Sequence, residues 1–157
     1  GDRLIPAGEL YFDDGIRHLN KRPDELLTEI HLPPTNGWRA TYWKLRRRGS
    51  FDFPVLGVAA CLTLSGDKTV EQARIVLGGV GSAPLRAANA EKAIVGRVLT
   101  EETIGEAAAA AYPVAKPLDN TDYAMSWRKE MARYYVARYP GALSLCRLAQ
   151  RTPDLVQ

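Results

Sequence analysis

Between Trp38 and Leu77 the apolar residues fall into three strand-length stretches, and beyond a glycine-rich turn they change to the spacing of helices. No other feature constrains the fold as much. Trp43 and Leu45 point one way, and Tyr42, Lys44 and Arg46 point the other, so Trp38 to Arg48 reads as a strand with one covered face. Gly49-Ser50 is a turn. Pro54 to Leu64 is a nearly continuous run of small apolar residues, closed by Ser65-Gly66-Asp67-Lys68. Val70 to Leu77 makes the next strand, and a strand, a tight turn and a strand read as a hairpin. The centre of the chain is therefore expected to be an antiparallel meander.

After Gly78-Gly79-Val80-Gly81-Ser82-Ala83-Pro84, the residues Leu85, Ala88, Ala93, Ile94 and Val95 suit a helix. Thr100 is placed to cap a second helix by accepting from the backbone amide three residues on. That helix carries Ile104 and Ala107 to Ala111 and stops at Pro113 and Pro117. Tyr123, Trp127, Met131, Tyr134 and Tyr135 recur at mostly helical spacing, which makes them the core stripe of a last long helix. Arg128, Lys129 and Arg133 fall off that stripe and are expected to meet solvent or a partner. Pro140-Gly141 interrupts this helix, and Leu143, Leu145 and Leu148 continue in a final short one. Strands followed by helices indicate an α+β fold: an antiparallel sheet of three to four strands packed on about three helices.

Ahead of this region, residues 1–36 form a polar lead-in. Thr28, Ile30 and Leu32 alternate as a strand does, and Pro33-Pro34-Thr35-Asn36-Gly37 makes a natural linker. The chain starts Gly1-Asp2-Arg3-Leu4-Ile5-Pro6, with neither an initiator methionine nor a basic leader before an apolar core. We therefore expect a piece of a longer protein and no secretory signal. No apolar run reaches the ~18–20 residues of a membrane span.

Several residue groups could carry chemistry. The glycine cluster 78–82 lacks the Lys-Ser/Thr pair of a phosphate loop and the last spacing of a dinucleotide fingerprint, so it reads as a bend requiring positive φ. Lys44-Leu45-Arg46-Arg47-Arg48 is a basic strip. It reads as a solvated strand end or a lining for a small anion such as a cofactor phosphate. A net charge of +3 gives little support to nucleic acid. Phe51-Asp52-Phe53-Pro54 places an acid between two aromatics, suited to a strand start or to meeting a planar ligand. Cys61 and Cys146 sit in apolar stretches and read as buried thiols. With His18 and His31 far from both in sequence, they make no zinc pattern. The absence of a disulfide framework points to a reducing, cytoplasmic compartment. No nucleophile–base pairing has a diagnostic spacing, and the residues by themselves identify no active site.

Four stretches in order carry a family resemblance. Tyr42 to Ala59 (YWKLRRRGSFDFPVLGVA) resembles the opening of the carboxy-terminal domain of FAD subunits in the xanthine dehydrogenase and carbon monoxide dehydrogenase family. Arg74 to Ala87 (RIVLGGVGSAPLRA) resembles that domain's third strand and glycine turn, and Trp127 to Ala132 (WRKEMA) its final helix. Arg22 to Pro33 (RPDELLTEIHLP) resembles the last strand of the preceding FAD-binding domain. The likeness covers essentially the whole chain. The segment Phe51-Asp52-Phe53-Pro54 is most similar in character to the flavoprotein subunits of 4-hydroxybenzoyl-CoA reductase-like enzymes.

The resemblance implies that residues 1–36 are the end of an FAD-binding domain and 37–157 the flavoprotein carboxy-terminal domain. It implies FAD in the intact subunit, a large subunit with the molybdenum cofactor, and a small subunit with iron–sulfur clusters. The FAD subunit exchanges electrons between those clusters and an external carrier. The amino-terminal glycine loops that hold FAD phosphates are missing from this sequence, so this piece is expected to hold FAD poorly alone. By the same resemblance Lys44 approaches the flavin ring, Phe53 beside Asp52 sits against it, and Leu27 is an apolar contact. Phe53 replaces the tyrosine of some relatives. A cation near the ring stabilises negative charge on reduced flavin, and an apolar wall excludes water. The alternative reading is a non-catalytic module that binds an anion or nucleic acid through residues 44–48. A third is an assembly domain that docks partner subunits through its helical face.

Overall fold

The computed structural model describes residues 1–47, 53–120 and 123–138. Its centre is a four-stranded antiparallel meander in sequence order: β1 (Arg39–Arg46), β2 (Pro54–Leu64), β3 (Val70–Gly78) and β4 (Leu85–Arg86). Three helices follow, α1 (Ala88–Ile94), α2 (Glu101–Ala111) and α3 (Met125–Arg138). The α+β expectation holds in strand order, pairing and helix number.

Register explains why one face of the sheet is covered. Trp43 lies opposite Val58, which lies opposite Leu77, and Leu45 lies opposite Leu56. This row parity, with Leu62, Ala73 and Ile75, makes the floor of the core. Ala90 and Ile94 of α1, Ile104, Ala107, Ala108 and Ala111 of α2, and Ala132 and Val136 of α3 close it from above. The small alanine side chains allow the helices to approach closely. The opposite parity, Tyr42, Lys44, Ala59, Cys61, Arg74 and Val76, faces away from the helices.

Local chemistry fixes the connections. At the β2–β3 hairpin, Lys68 N–H donates to the Ser65 carbonyl at 2.9 Å, and the Asp67 carboxylate accepts from the Ser65 hydroxyl and, at 3.2 Å, from Thr69 N–H. Thr100 caps α2 as expected. Its hydroxyl accepts from Thr103 N–H at 3.2 Å, and the Thr103 hydroxyl accepts from Thr100 N–H at 2.8 Å. Threonine thus takes the place of the usual Glu or Gln in a capping box.

Five expectations are corrected. Thr28 to Leu32 is not a strand, because no neighbouring strand pairs with it among the described residues. Leu85 belongs to β4 opposite Leu77, and α1 starts only at Ala88. The fully buried face of α3 is Arg128, Ala132 and Val136; of the expected stripe Met131 and Tyr135 pack against the core, whereas Trp127 and Tyr134 are more than a third exposed. Tyr123 stacks on Trp127 with ring centroids 4.8 Å apart, outside the core. Arg128, expected in solvent, is buried. Cys61 is only half-buried, because it points to the uncovered face of β2. Arg48, the Gly49-Ser50 turn, Asp52, Cys146 and the short helix expected at 143–148 lie outside the described residues.

Candidate functional site

The uncovered face of the sheet has an unusual row. Lys44 on β1 is opposite Gly57 on β2, which is opposite Gly78 on β3. Two of the three positions have no side chain, and the Gly57 backbone beside the half-buried Lys44 is itself buried. The next row is Tyr42, Ala59 and Val76, ending at Arg86. The Tyr42 ring leans across Gly57: a Cβ at that glycine would lie 2.8 Å from the phenol oxygen. Glycine suits this position by close approach rather than by backbone angle.

Phe53 immediately precedes β2, and Pro54 pairs with Arg46 at the end of β1. Lys44 and Phe53 therefore share one end of the β1–β2 ladder. Phe53 is 75% exposed. Leu27 is 65% exposed and lies in the lead-in. Among the described residues, the hydrogen bonds and ion pairs of residues 1–34 stay within that segment. The main tie is Arg3 to Glu25, 2.8 Å between Nη2 and Oε2. The arginines at positions 3 and 22 hold the Glu25 carboxyl far below its usual range, at about 2. The structure thus brings Lys44 and Phe53 to one end of the ladder, no hydrogen bond or ion pair among the described residues ties the segment of Leu27 to it, and Asp52 lies outside the described residues.

The glycine cluster is a bend, as its composition suggests. Gly79 has φ +74°, and a Cβ there would lie 3.0 Å from the Pro54 carbonyl oxygen. The bend therefore packs directly on the start of β2. Two further residues at this corner escape sequence reasoning. Tyr42 had been assigned only to a strand face. Arg128 gave a weak signal: it begins an i, i+4, i+8 row with Ala132 and Val136, in which aromatic residues drew attention to the wrong stripe.

The uncovered face fits the ring end of a flavin. It offers a flat, small-residue strip, a tyrosine, and a cation that can stabilise anionic charge. It offers no phosphate cradle, because the glycine bend is filled by contacts with β2. Among the described residues, no group of three or more His, Cys, Asp or Glu could hold a metal ion, and no helix is long and apolar enough to cross a membrane.

Comparison with known proteins gives a consistent answer. A family model described as the CO dehydrogenase flavoprotein C-terminal domain matches residues 40–142. The carbon monoxide dehydrogenase medium chain of Afipia carboxidovorans is 33% identical over 139 residues, covering 88% of this chain and 47% of that protein. The glyceraldehyde dehydrogenase medium chain of Sulfolobus acidocaldarius is 26% identical over 133 residues, covering 85% and 46%. Among solved structures, the reconstituted CO dehydrogenase from Oligotropha carboxidovorans matches with a TM-score of 0.71 at 32% identity, over 83% of this chain and 45% of that one. The chain spans about half the length of the curated relatives it matches. The family match runs from the second residue of β1 through α3, and the chain belongs to the CO dehydrogenase flavoprotein C-terminal domains, found in the FAD subunits of the molybdenum hydroxylase family.

Proposed function

We propose that this domain completes the flavin site of an FAD subunit and docks the partners that pass electrons to and from it. The observation that carries the reading is the row Lys44, Gly57 and Gly78. Glycine at the next two positions of its row keeps other side chains from barring a planar ring, and once the exposed Tyr42 ring that leans across Gly57 swings aside the lysine puts a cation beside it. Phe53, at the same end of the ladder, supplies an apolar wall, and the neighbouring Asp52 belongs to the same group. Leu27 joins them from the lead-in, which on this reading is the last stretch of the FAD-binding domain, with the carboxy-terminal domain beginning at residue 37.

FAD, when bound, carries electrons between the iron–sulfur clusters of a small subunit and an external acceptor, and a large subunit holds the molybdenum cofactor. The part of this chain is to orient the ring, exclude water and favour the charge of its reduced form through Lys44. We place the complex in the cytoplasm.

The test is an FAD titration, followed by flavin fluorescence, on this chain alone and on the chain restored with its native upstream sequence. Tight binding by the restored chain only supports a split flavin site, and Lys44→Ala should then change the flavin spectrum or potential. No binding by either overturns the reading. A salt-dependent screen of anions and nucleic acids against residues 44–48 then follows, because a phosphate-backbone binder loses affinity steeply with salt.

A further inference from the structure

Arg128 is the one arginine of the described residues that is buried, at 2% exposure. It lies in the first turns of α3, and its guanidinium reaches three other segments. Nε and Nη2 donate to the Val55 carbonyl at 3.3 and 3.2 Å, and Nη2 also donates to the Gly79 carbonyl. Nη1 donates to the Leu118 carbonyl at 2.8 Å and to Asn120 Oδ1 at 2.9 Å. A guanidinium has five N–H groups, and these contacts engage all of them. Every one of these acceptors is a neutral oxygen. Burial without a carboxylate pulls the pKa of Arg128 below its ordinary value.

A buried cation held only by neutral acceptors is costly, and it persists where its geometry does something a smaller group would not. The geometry here is specific. Val55 lies on β2 and Gly79 in the bend after β3, yet one Nη2 bridges them. The two segments also lie close together, since a Cβ at Gly79 would stand 3.0 Å from the Pro54 carbonyl oxygen and 3.4 Å from that of Val55. Val55 is two residues from Phe53 and follows directly on the pairing of Pro54 with Arg46.

We propose that Arg128 is the positioning residue of the flavin corner: it locks the start of β2 to the Gly79 bend and thereby sets where Phe53 stands. This rests on the flavin reading above. Arg128 itself does not touch the ring; it acts through the backbone that carries Phe53. Lysine is a poor substitute, because one ammonium cannot span Val55, Gly79, Leu118 and Asn120 at once.

The test uses the complete FAD subunit and a double-mutant cycle of Arg128→Lys with Phe53→Ala. Misplacing a contact group by ångströms is costly, and we expect each single variant to raise the FAD Kd about ten-fold. If Arg128 acts through Phe53, the double variant is no weaker than Phe53→Ala alone. Hydrogen exchange should quicken at Leu56 and Val80 while α2 keeps its protection. Additive losses, or an unchanged Kd in Arg128→Lys, overturn the proposal while leaving the flavin reading intact. A wild-type subunit that holds no FAD overturns both. Should Arg128→Lys fail to fold, Asn120→Ala leaves the guanidinium in place and removes one acceptor. It is expected to shift the Kd in the same direction by a smaller factor and to be silent on the Phe53→Ala background; a shift that persists there overturns the proposal.

Discussion

The carboxylate of Glu91 takes the place of a strand residue beside Ile75, whose backbone N–H donates to Oε1 at 3.0 Å. β4 is only two residues long, and it pairs with Leu77 and Val76 but not with Ile75. The ladder ends one residue early, and a side chain from α1 finishes it. Arg86, the last residue of β4, holds the same carboxylate with Nε at 2.9 and 3.0 Å and Nη2 at 2.6 Å. Arg74 on β3 adds a longer contact at 3.6 Å. Glu91 is thus both edge cap and strand-to-helix clasp.

Removing it should cost more than a surface ion pair. Glu91→Ala orphans a buried amide and two arginines. Breaking a buried pair costs about 3–5 kcal/mol, but Arg86 is half exposed, so we expect about 2–3 kcal/mol. Glu91→Gln keeps an acceptor for Ile75 and should cost about half as much. Urea unfolding of the two variants measures this. Equal losses would show that the Ile75 hydrogen bond adds nothing beyond the charge.

The same group predicts an acid dependence. Burial is the largest single influence on the Glu91 carboxyl and pushes its pKa up. The hydrogen bonds from Arg86 and Ile75 and the charges of Arg86 and Arg74 together outweigh it, so the net pKa lies below the ordinary 4.5. A carboxylate depressed in the folded state adds stability that is present above its unfolded pKa and is lost as pH falls through the folded one. The stability difference between wild type and Glu91→Gln should be constant above about pH 5 and shrink below it. Unfolding midpoints from pH 7 down to 3 measure that difference. A gap that stays constant across the range refutes the depressed pKa.

Two glycines of the uncovered face and its edge should respond oppositely to alanine. At Gly79 both the positive φ and the Pro54 carbonyl 3.0 Å away resist a Cβ, and neither can move without shifting β2. Gly79→Ala should cost about 2 kcal/mol or more. At Gly57 the obstacle is the hydroxyl end of an exposed tyrosine, which can swing aside. Gly57 is buried, but the group in the way is mobile, so Gly57→Ala should cost only about 1 kcal/mol. It should still weaken FAD in the complete subunit by filling the strip beside Lys44. Thermal melts and an FAD titration on both variants separate the effects.

How much of this was legible depended on whether a signal was local. Alternation located the strand at Arg39–Arg46 within one or two residues, a continuous apolar run located Pro54–Leu64, and spaced apolar residues located Val70–Gly78, with turn chemistry bounding the β2–β3 hairpin. The Thr100 cap was legible for the same reason. β4 was not, because two residues are too few to show a period, and Leu85 is apolar in either reading. Arg128 was hidden by its residue type: arginines are almost never buried, and only the tertiary arrangement of Val55, Gly79, Leu118 and Asn120 makes this one an exception. Lys44 and Phe53 were singled out by resemblance, and the glycines opposite Lys44 came from register, which one sequence does not reveal.

The lead-in supplies the last prediction. Leu26, Leu27, Ile30 and Leu32 are all well exposed on a backbone that belongs to no helix or strand. Exposed apolar side chains on such a segment are what a protease cleft accepts. Limited digestion of this chain with a protease selective for large apolar residues should cut first between Leu26 and Leu32 and spare β2 and β3, whose ladders are paired on both sides. With the native upstream sequence restored, alternating apolar residues of this kind are expected to add to a neighbouring sheet, and the cut should slow by at least about ten-fold, an opening free energy near 1.4 kcal/mol. Mass spectrometry of the fragments over time reads both rates. Equal rates would mean that residues 1–36 are a linker and not the last strand of an FAD-binding domain, and Leu27 would then leave the flavin site.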